Sequence, residues 1–267
     1  MYAYPFYPSR SVHSLDGIWE FAFLGADAPK LEEIRTDGIR FNELMAVPGC
    51  FDAAPKYAGV RGVGAYRRTV AVPASTKLRL RLGALGLRGR ILWDGVEIAL
   101  NELPYSQQCC EFNAGSGGTH ELIFLIDNRF DPADTPLFHP FYDFYGYGGI
   151  YRSVELETLP DGVHFHRVRV ETPDLSGRVI VSGRLAGGAA PLSAGFDGTA
   201  PEPVEAQFDG EKFTFEAQLD SPTLWSPDSP NLHTVTLRAG NDTIVERFGI
   251  RTVVCSRGQI LLNGKPI

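Results

Sequence analysis

Cysteine is scarce in this chain, with four among 267 residues, and two of those, Cys109 and Cys110, are neighbours. That spacing fits neither a paired CxxC metal site nor a dense disulfide framework, so the four read as free thiols. A basic excess is also missing. The formal net charge is −7, and no Lys/Arg stripe interleaves with aromatics, which excludes a nucleic-acid partner. No apolar run is long enough to span a bilayer, and Met1 to Arg10 lack a charged start followed by an apolar stretch. Neither a membrane span nor a secretion leader is therefore expected, and the location expected is cytoplasmic. Helical periodicity is nearly absent as well. Only Leu31 to Leu44 offers a helix, which Asp37-Gly38 makes short or broken. No alternation of eight strands with eight helices can be traced.

What the chain does hold is turn residues and short alternating runs. With 29 Gly, 19 Pro, 43% hydrophobic and 21% charged residues, the composition is that of a globular protein rich in turns. Apolar and polar residues alternate over Trp19 to Phe23, Tyr66 to Val72, Leu78 to Leu82, Leu122 to Ile126, Val163 to Val170 and Thr234 to Leu237. Gly, Pro, Asn or Asp bound each run, the signature of half-buried strands. Ile91 to Ile98 predicts a hairpin, because Asp94-Gly95 supplies the positive φ angles of a type I′ turn. A boundary falls near Leu159-Pro160-Asp161-Gly162, giving units 1–160 and 161–255. These lengths, about 160 and about 95 residues, suit a jelly-roll sandwich and an immunoglobulin-like sandwich. The expected fold class is all-β. At the end, Gln259 to Ile267 reads as a strand, an Asn263-Gly264 turn and three residues of a return strand, which fits either a truncated chain or a frayed tail.

Several motifs are familiar in combination. Leu224-Trp225-Ser226-Pro227-Asp228-Ser229-Pro230-Asn231-Leu232-His233, followed by Arg247-Phe248-Gly249-Ile250-Arg251-Thr252, resembles the end of the immunoglobulin-like domain of glycoside hydrolase family 2, which includes β-galactosidases, β-glucuronidases and β-mannosidases. Leu15-Asp16-Gly17-Ile18-Trp19, Val47-Pro48-Gly49, Tyr57-Ala58-Gly59 and Tyr66-Arg67-Arg68 are similar to the galactose-binding-like jelly roll of those enzymes. Asp143-Phe144-Tyr145-Gly146-Tyr147-Gly148-Gly149-Ile150-Tyr151-Arg152 resembles the segment that leads into Gly-Ile-aromatic-Arg in the same family. The matches run through nearly the whole chain in family order. The resemblance implies that Leu262 to Ile267 opens the catalytic (β/α)₈ barrel, so that residues 256–267 would be the start of a truncated barrel. It also implies a non-catalytic front part of a retaining exo-β-glycosidase, with a β-linked sugar as substrate and the barrel as its missing partner in cis.

Retaining glycosidases need two carboxyl groups about 5 to 5.5 Å apart, and in this family both are glutamates on barrel strands. The acid/base glutamate follows an asparagine. Asn42-Glu43 and Asn101-Glu102 are the Asn-Glu pairs present, and neither stands in barrel context, so both read as solvated surface groups and no catalytic residue is assigned. The expected activity of the chain alone is nil. The resemblance assigns Asp143 to hydroxyls of the terminal sugar, a role that suits a carboxylate because charge-assisted hydrogen bonds are strong. Its competing role is to stabilise a local Gly-rich turn. Tyr142, Phe144 and Tyr145, within the aromatic run from Phe138, belong to the sugar pocket or to a packed interface. Uncovered, such a run invites association, so a homo-oligomer is a further expectation. Arg152 suits bracing of its loop through its donor fork. His164 and His166 stand two apart on one strand, but no third ligand completes a metal set, and no cofactor is expected.

Two departures bear on substrate. Leu103-Pro104-Tyr105 stands where many family members have Gly-Gly-Tyr, and Ala65 replaces a frequent aromatic, with a Gly-rich insertion, Val60 to Gly64, ahead of it. The segments around Tyr57 and Asp143 look closer to β-glucuronidases than to large β-galactosidases. A freestanding carbohydrate-binding module and a structural sandwich pair are the competing classes.

Overall fold

The computed structural model describes residues 4–74, 76–130 and 146–267. It is built from antiparallel strands; among the described residues the helical elements are three 3₁₀ turns, at Leu31–Glu33, Phe51–Ala53 and Pro55–Tyr57. None of the helices is long and apolar enough to cross a membrane. The chain divides into two compact units, one of Val12–Leu159 and one of Met1–Ser11 together with Pro160–Ile267.

In the first unit a six-stranded sheet runs in the order Glu43–Val47, Gly17–Gly25, Val63–Val72, Gly118–Asp127, Arg88–Trp93, Val96–Asn101. A four-stranded sheet, in the order Val12–Ser14, Val154–Leu159, Lys77–Leu82, Gln108–Asn113, completes the sandwich. Alternation along the strands sends Trp19, Phe21, Tyr66 and Phe124 inward against Leu78, Leu80 and Leu82. Edge-to-face aromatic packing tightens this core, as between Trp19 and Phe124 at 5.5 Å. The other face of the larger sheet is also covered. Ala22, Ala65, Leu92, Ile123 and Leu125 form a second cluster with Leu31, Ile34, Ile39 and Phe41. The helix expected over Leu31 to Leu44 is thus corrected to a single 3₁₀ turn, Leu31–Glu33, with a strand over Glu43–Val47. Its apolar residues are spaced by the sheet they cover. Arg90 fixes the turn by donating to the Leu31 and Ile34 carbonyls at 3.1 and 3.0 Å.

The second unit pairs a sheet of His164–Glu171, Arg178–Ala186, Lys212–Gln218 and Gln207–Asp209 with one of Glu202–Val204, Leu192–Phe196, His233–Ala239 and Asp242–Phe248. Phe165, Val181, Phe215, Val235 and Leu237 lie between them. Residues 4–11 join this unit through a bridge between Phe6 and Val245 and through Arg10, which donates from Nη2 to Asp242 Oδ2 at 2.6 Å and to the Phe165 carbonyl at 2.7 Å. Val253–Ser256, Gln259–Leu262 and Lys265–Pro266 make a final three-stranded sheet.

The predicted strands lie within observed ones except that the run from Val163 starts one residue before the strand His164–Glu171, and the hairpin at Asp94-Gly95 forms, with φ angles of 49° and 77°. His164 and His166 do not share a face, contrary to the two-residue period. A register shift between Phe165 and Arg167 breaks the alternation, leaving His164 buried and His166 exposed. Cys50, Cys109, Cys110 and Cys255 are free thiols.

Candidate functional site

The segment expected to carry the sugar contact lies between Phe130 and Gly146. Asp143, Tyr142, Phe144 and Tyr145 lie outside the described residues, as does the rest of the aromatic run from Phe138. What the structure describes is how both ends of this segment are held.

Asp52 sits in the 3₁₀ turn Phe51–Ala53, which follows the short strand Gly49–Cys50. Its Oδ2 accepts from the Asn128 side-chain amide at 2.8 Å and from the Gly148 backbone at 3.0 Å. One carboxylate oxygen therefore joins residues on the two sides of the segment. Asn128 is itself fixed, because its Oδ1 accepts from the Gly62 backbone at 2.8 Å. Arg61 makes a second tie: its Nη1 donates to the Asn128 carbonyl at 2.6 Å and to the Gly146 carbonyl at 3.1 Å. Its guanidinium also lies 3.7 Å above the Phe130 ring. Together these contacts form a clasp whose members come from four distant stretches of sequence.

Glycine is required at the returning end. A β-carbon at Gly148 would stand 2.6 Å from Asn128 Cβ and 2.7 Å from the Phe51 ring. Gly149 has φ of 140°, pairs with Cys50 and accepts from the Gly86 backbone at 3.1 Å. The chain is thereby seated against the end of the sandwich.

Electrostatically, this end is desolvated. Burial raises the Asp52 carboxyl, while the Gly148 and Asn128 donors lower it part of the way. Its Oδ1 is buried without a hydrogen-bond partner, as is the hydroxyl of Tyr66. Burial also pushes the Cys50 thiol up to about 11, with the Asp52 charge adding to the effect.

Beyond the clasp, Tyr151 donates from its hydroxyl to the Leu85 carbonyl at 2.9 Å and accepts from the Tyr105 backbone at 2.8 Å. The two rings lie 5.4 Å apart. Leu103-Pro104-Tyr105 is thus fastened to the same strand end, with Tyr105 at φ 62°. Arg152 is exposed, and no hydrogen bond from its guanidinium to a described residue is present.

The Asn-Glu pairs are engaged elsewhere. Glu43 accepts from Lys56 at 2.8 Å and from the Tyr57 hydroxyl at 2.5 Å, and Glu102 faces Arg88 at 3.3 Å. Among the described residues no three His, Cys, Asp or Glu side chains group as a metal site would require. Asp52, Arg61 and Asn128 were not singled out from the sequence. The polar triple Asp127-Asn128-Arg129 directly after an apolar strand was the one signal available.

Residues 163–251 match the family model described as glycosyl hydrolases family 2. A curated relative named "Putative beta-glucuronidase", from Formosa agariphila, is 27% identical over 166 residues, covering 56% of this chain and 20% of the relative. A crystal structure of a family 2 β-galacturonidase from Eisenbergiella tayi bound to glycerol is 25% identical, with a TM-score of 0.80, over 97% of this chain and 46% of that one. The β-glucuronidase of Faecalibacterium prausnitzii is 22% identical, with a TM-score of 0.80, over 100% of this chain and 50% of that one. The chain thus spans about half the length of these solved structures and a smaller share of the curated relative.

Proposed function

We propose that the chain belongs to glycosyl hydrolases family 2, whose model it matches over residues 163–251, and is the non-catalytic front part of a retaining exo-β-glycosidase acting on uronides. In this reading a jelly-roll unit and an immunoglobulin-like unit brace a catalytic barrel that this chain does not contain. The two catalytic glutamates belong to that barrel, and Asp143 reaches from the sandwich to hydroxyls of the terminal sugar. The relatives' names, β-glucuronidase and β-galacturonidase, support a uronide over a neutral galactoside.

The observation that carries the reading is the clasp. Asp52 and Arg61 each bind both ends of the segment that contains Asp143, at 2.6 to 3.1 Å. Such anchoring suits a segment that must present one side chain reproducibly, since a misplacement of about 1 Å can cost on the order of 100-fold in rate. Chemically, a carboxylate can accept two hydroxyl hydrogen bonds at once.

The test is hydrolysis of aryl β-glucuronide, β-galacturonide, β-galactoside and β-mannoside, by this chain and by the full-length protein. This chain alone is expected to release no aglycone, and the full-length protein to prefer the uronides. Asp143→Ala in the latter should lower kcat/KM at least about tenfold, or about 1.4 kcal/mol of transition-state binding. Unchanged kinetics would remove Asp143 from the sugar pocket, and turnover by this chain alone would overturn the non-catalytic assignment.

A further inference from the structure

The outer face of the sheet that begins with His164–Glu171 carries cations in cross-strand register. Arg167 stands opposite Arg184, Arg184 opposite Lys212, and Lys212 opposite Asp209 at the edge. Two residues along the strands, a second row runs Arg169, Ser182, Thr214, Gln207. Like charges directly opposite one another destabilise a sheet, so three adjacent cations need a reason, the more so in a chain whose net charge is −7. Internal pairing relieves part of the repulsion. Arg184 binds Glu211 at 2.7 Å and Arg169 binds Glu171 at 2.9 Å. Arg167 and Lys212 are exposed and make no ion pair or hydrogen bond through their side chains with the described residues.

These rows line an open groove of about 560 Å³, to which the half-buried Phe208 also contributes. We propose that this groove binds a glycan chain bearing repeated carboxylates, a polyuronide. Neighbouring strands lie about 4.8 Å apart, so Arg167 and Lys212, two strands apart with the Glu211-paired Arg184 between them, stand about 10 Å apart, comparable to the advance of two pyranose units, and can meet alternate carboxylates of the chain. The second row supplies Ser182, Thr214 and Gln207 as partners for ring hydroxyls. The openness of the groove suits an extended chain rather than one enclosed molecule. Choice of carboxylate over other anions rests on the uronide reading of the function.

Affinity electrophoresis of this chain in gels containing polygalacturonate, dextran, dextran sulfate or DNA tests the proposal. Retardation by polygalacturonate, and not by dextran, is expected, with at least about tenfold weaker binding for Arg167→Ala/Lys212→Ala. Arg35→Ala/Lys265→Ala, which removes the same charge elsewhere, should bind as the parent does. Arg167→Lys/Lys212→Arg keeps both cations and should retain binding, so misfolding of the alanine variant would not hide the answer. No retardation, equal loss in the two alanine pairs, or binding of dextran sulfate or DNA as tight as that of polygalacturonate overturns the site. Retardation here alongside a full-length protein inactive on uronides would sink the proposed function and leave this site standing.

Discussion

Asp52 places two hydrogen bonds on Oδ2 and none on Oδ1, although both oxygens are buried. Burial is the largest influence on its carboxyl and raises it above the usual carboxylate range. A carboxyl whose folded pKa lies above its unfolded one contributes stability that is fully present below the unfolded value and is lost as pH rises through the folded value. Asp52→Asn abolishes the titration and keeps one acceptor oxygen for both donors. In urea melts from about pH 4 to about pH 7, the asparagine variant should gain on the parent as the pH climbs. Parallel curves would show that folding does not perturb this carboxyl. Little of this was legible beforehand, since Asp52, Arg61, Asn128 and Gly148 acquire meaning from adjacency in space, and no local period links them.

At the level of elements, one device closes a turn in each unit. Asp94, at φ 49°, accepts from the Glu121 backbone at 2.8 Å and lies 2.6 Å from His120, whose ring stacks on Trp93. Asp197, also at φ 49°, accepts from the Thr234 backbone at 2.9 Å and lies 2.7 Å from His233, whose ring stacks on Phe248. Each aspartate thus fastens a turn to a neighbouring strand. Although burial raises the Asp94 carboxyl, the His120 and Glu121 donors outweigh it and the net shift is downward. Its contribution is therefore present above the unfolded pKa and fades as pH falls through the folded one. Asp94→Ala should cost about 1 kcal/mol in urea melts at neutral pH, screening at a half-exposed carboxylate limiting the loss, and the cost should vanish in acid. A penalty that persists at low pH would mean that packing of the turn, not the charge, is what Asp94 supplies. The hairpin itself was readable from Asp94-Gly95, because positive φ has few candidates. The false helix at Leu31 to Leu44 and the false histidine face share a cause: covering a sheet and bulging a strand both alter spacing for tertiary reasons.

For the whole molecule, the strand alternation was legible almost throughout, since two sandwich cores demand it. Membership of the first residues was not. Arg10 and Asp242 form an ion pair with both side chains fully buried, 232 positions apart in sequence, and the Asp242 carboxylate also accepts from Ser9 at 2.8 Å and the Phe165 backbone at 2.8 Å. No pattern near Arg10 announces that partner. Arg10→Ala strands a buried carboxylate and is expected to cost about 3 to 5 kcal/mol, read as a lowered urea midpoint. Arg10→Ala combined with Asp242→Leu should recover part of the loss. Recovery of none of it would place the cost in packing around Tyr7, whose ring the guanidinium covers at 3.7 Å.

A stretch of chain tied at both ends to one carboxylate and one guanidinium is, in evolutionary terms, a cassette. Asp52, Arg61, Asn128 and Gly148 fix the points at which residues 131–145 join the described chain. Closing a loop of twice the length costs only about 0.6 kcal/mol more. A change of length between these anchors leaves the residues of both cores untouched.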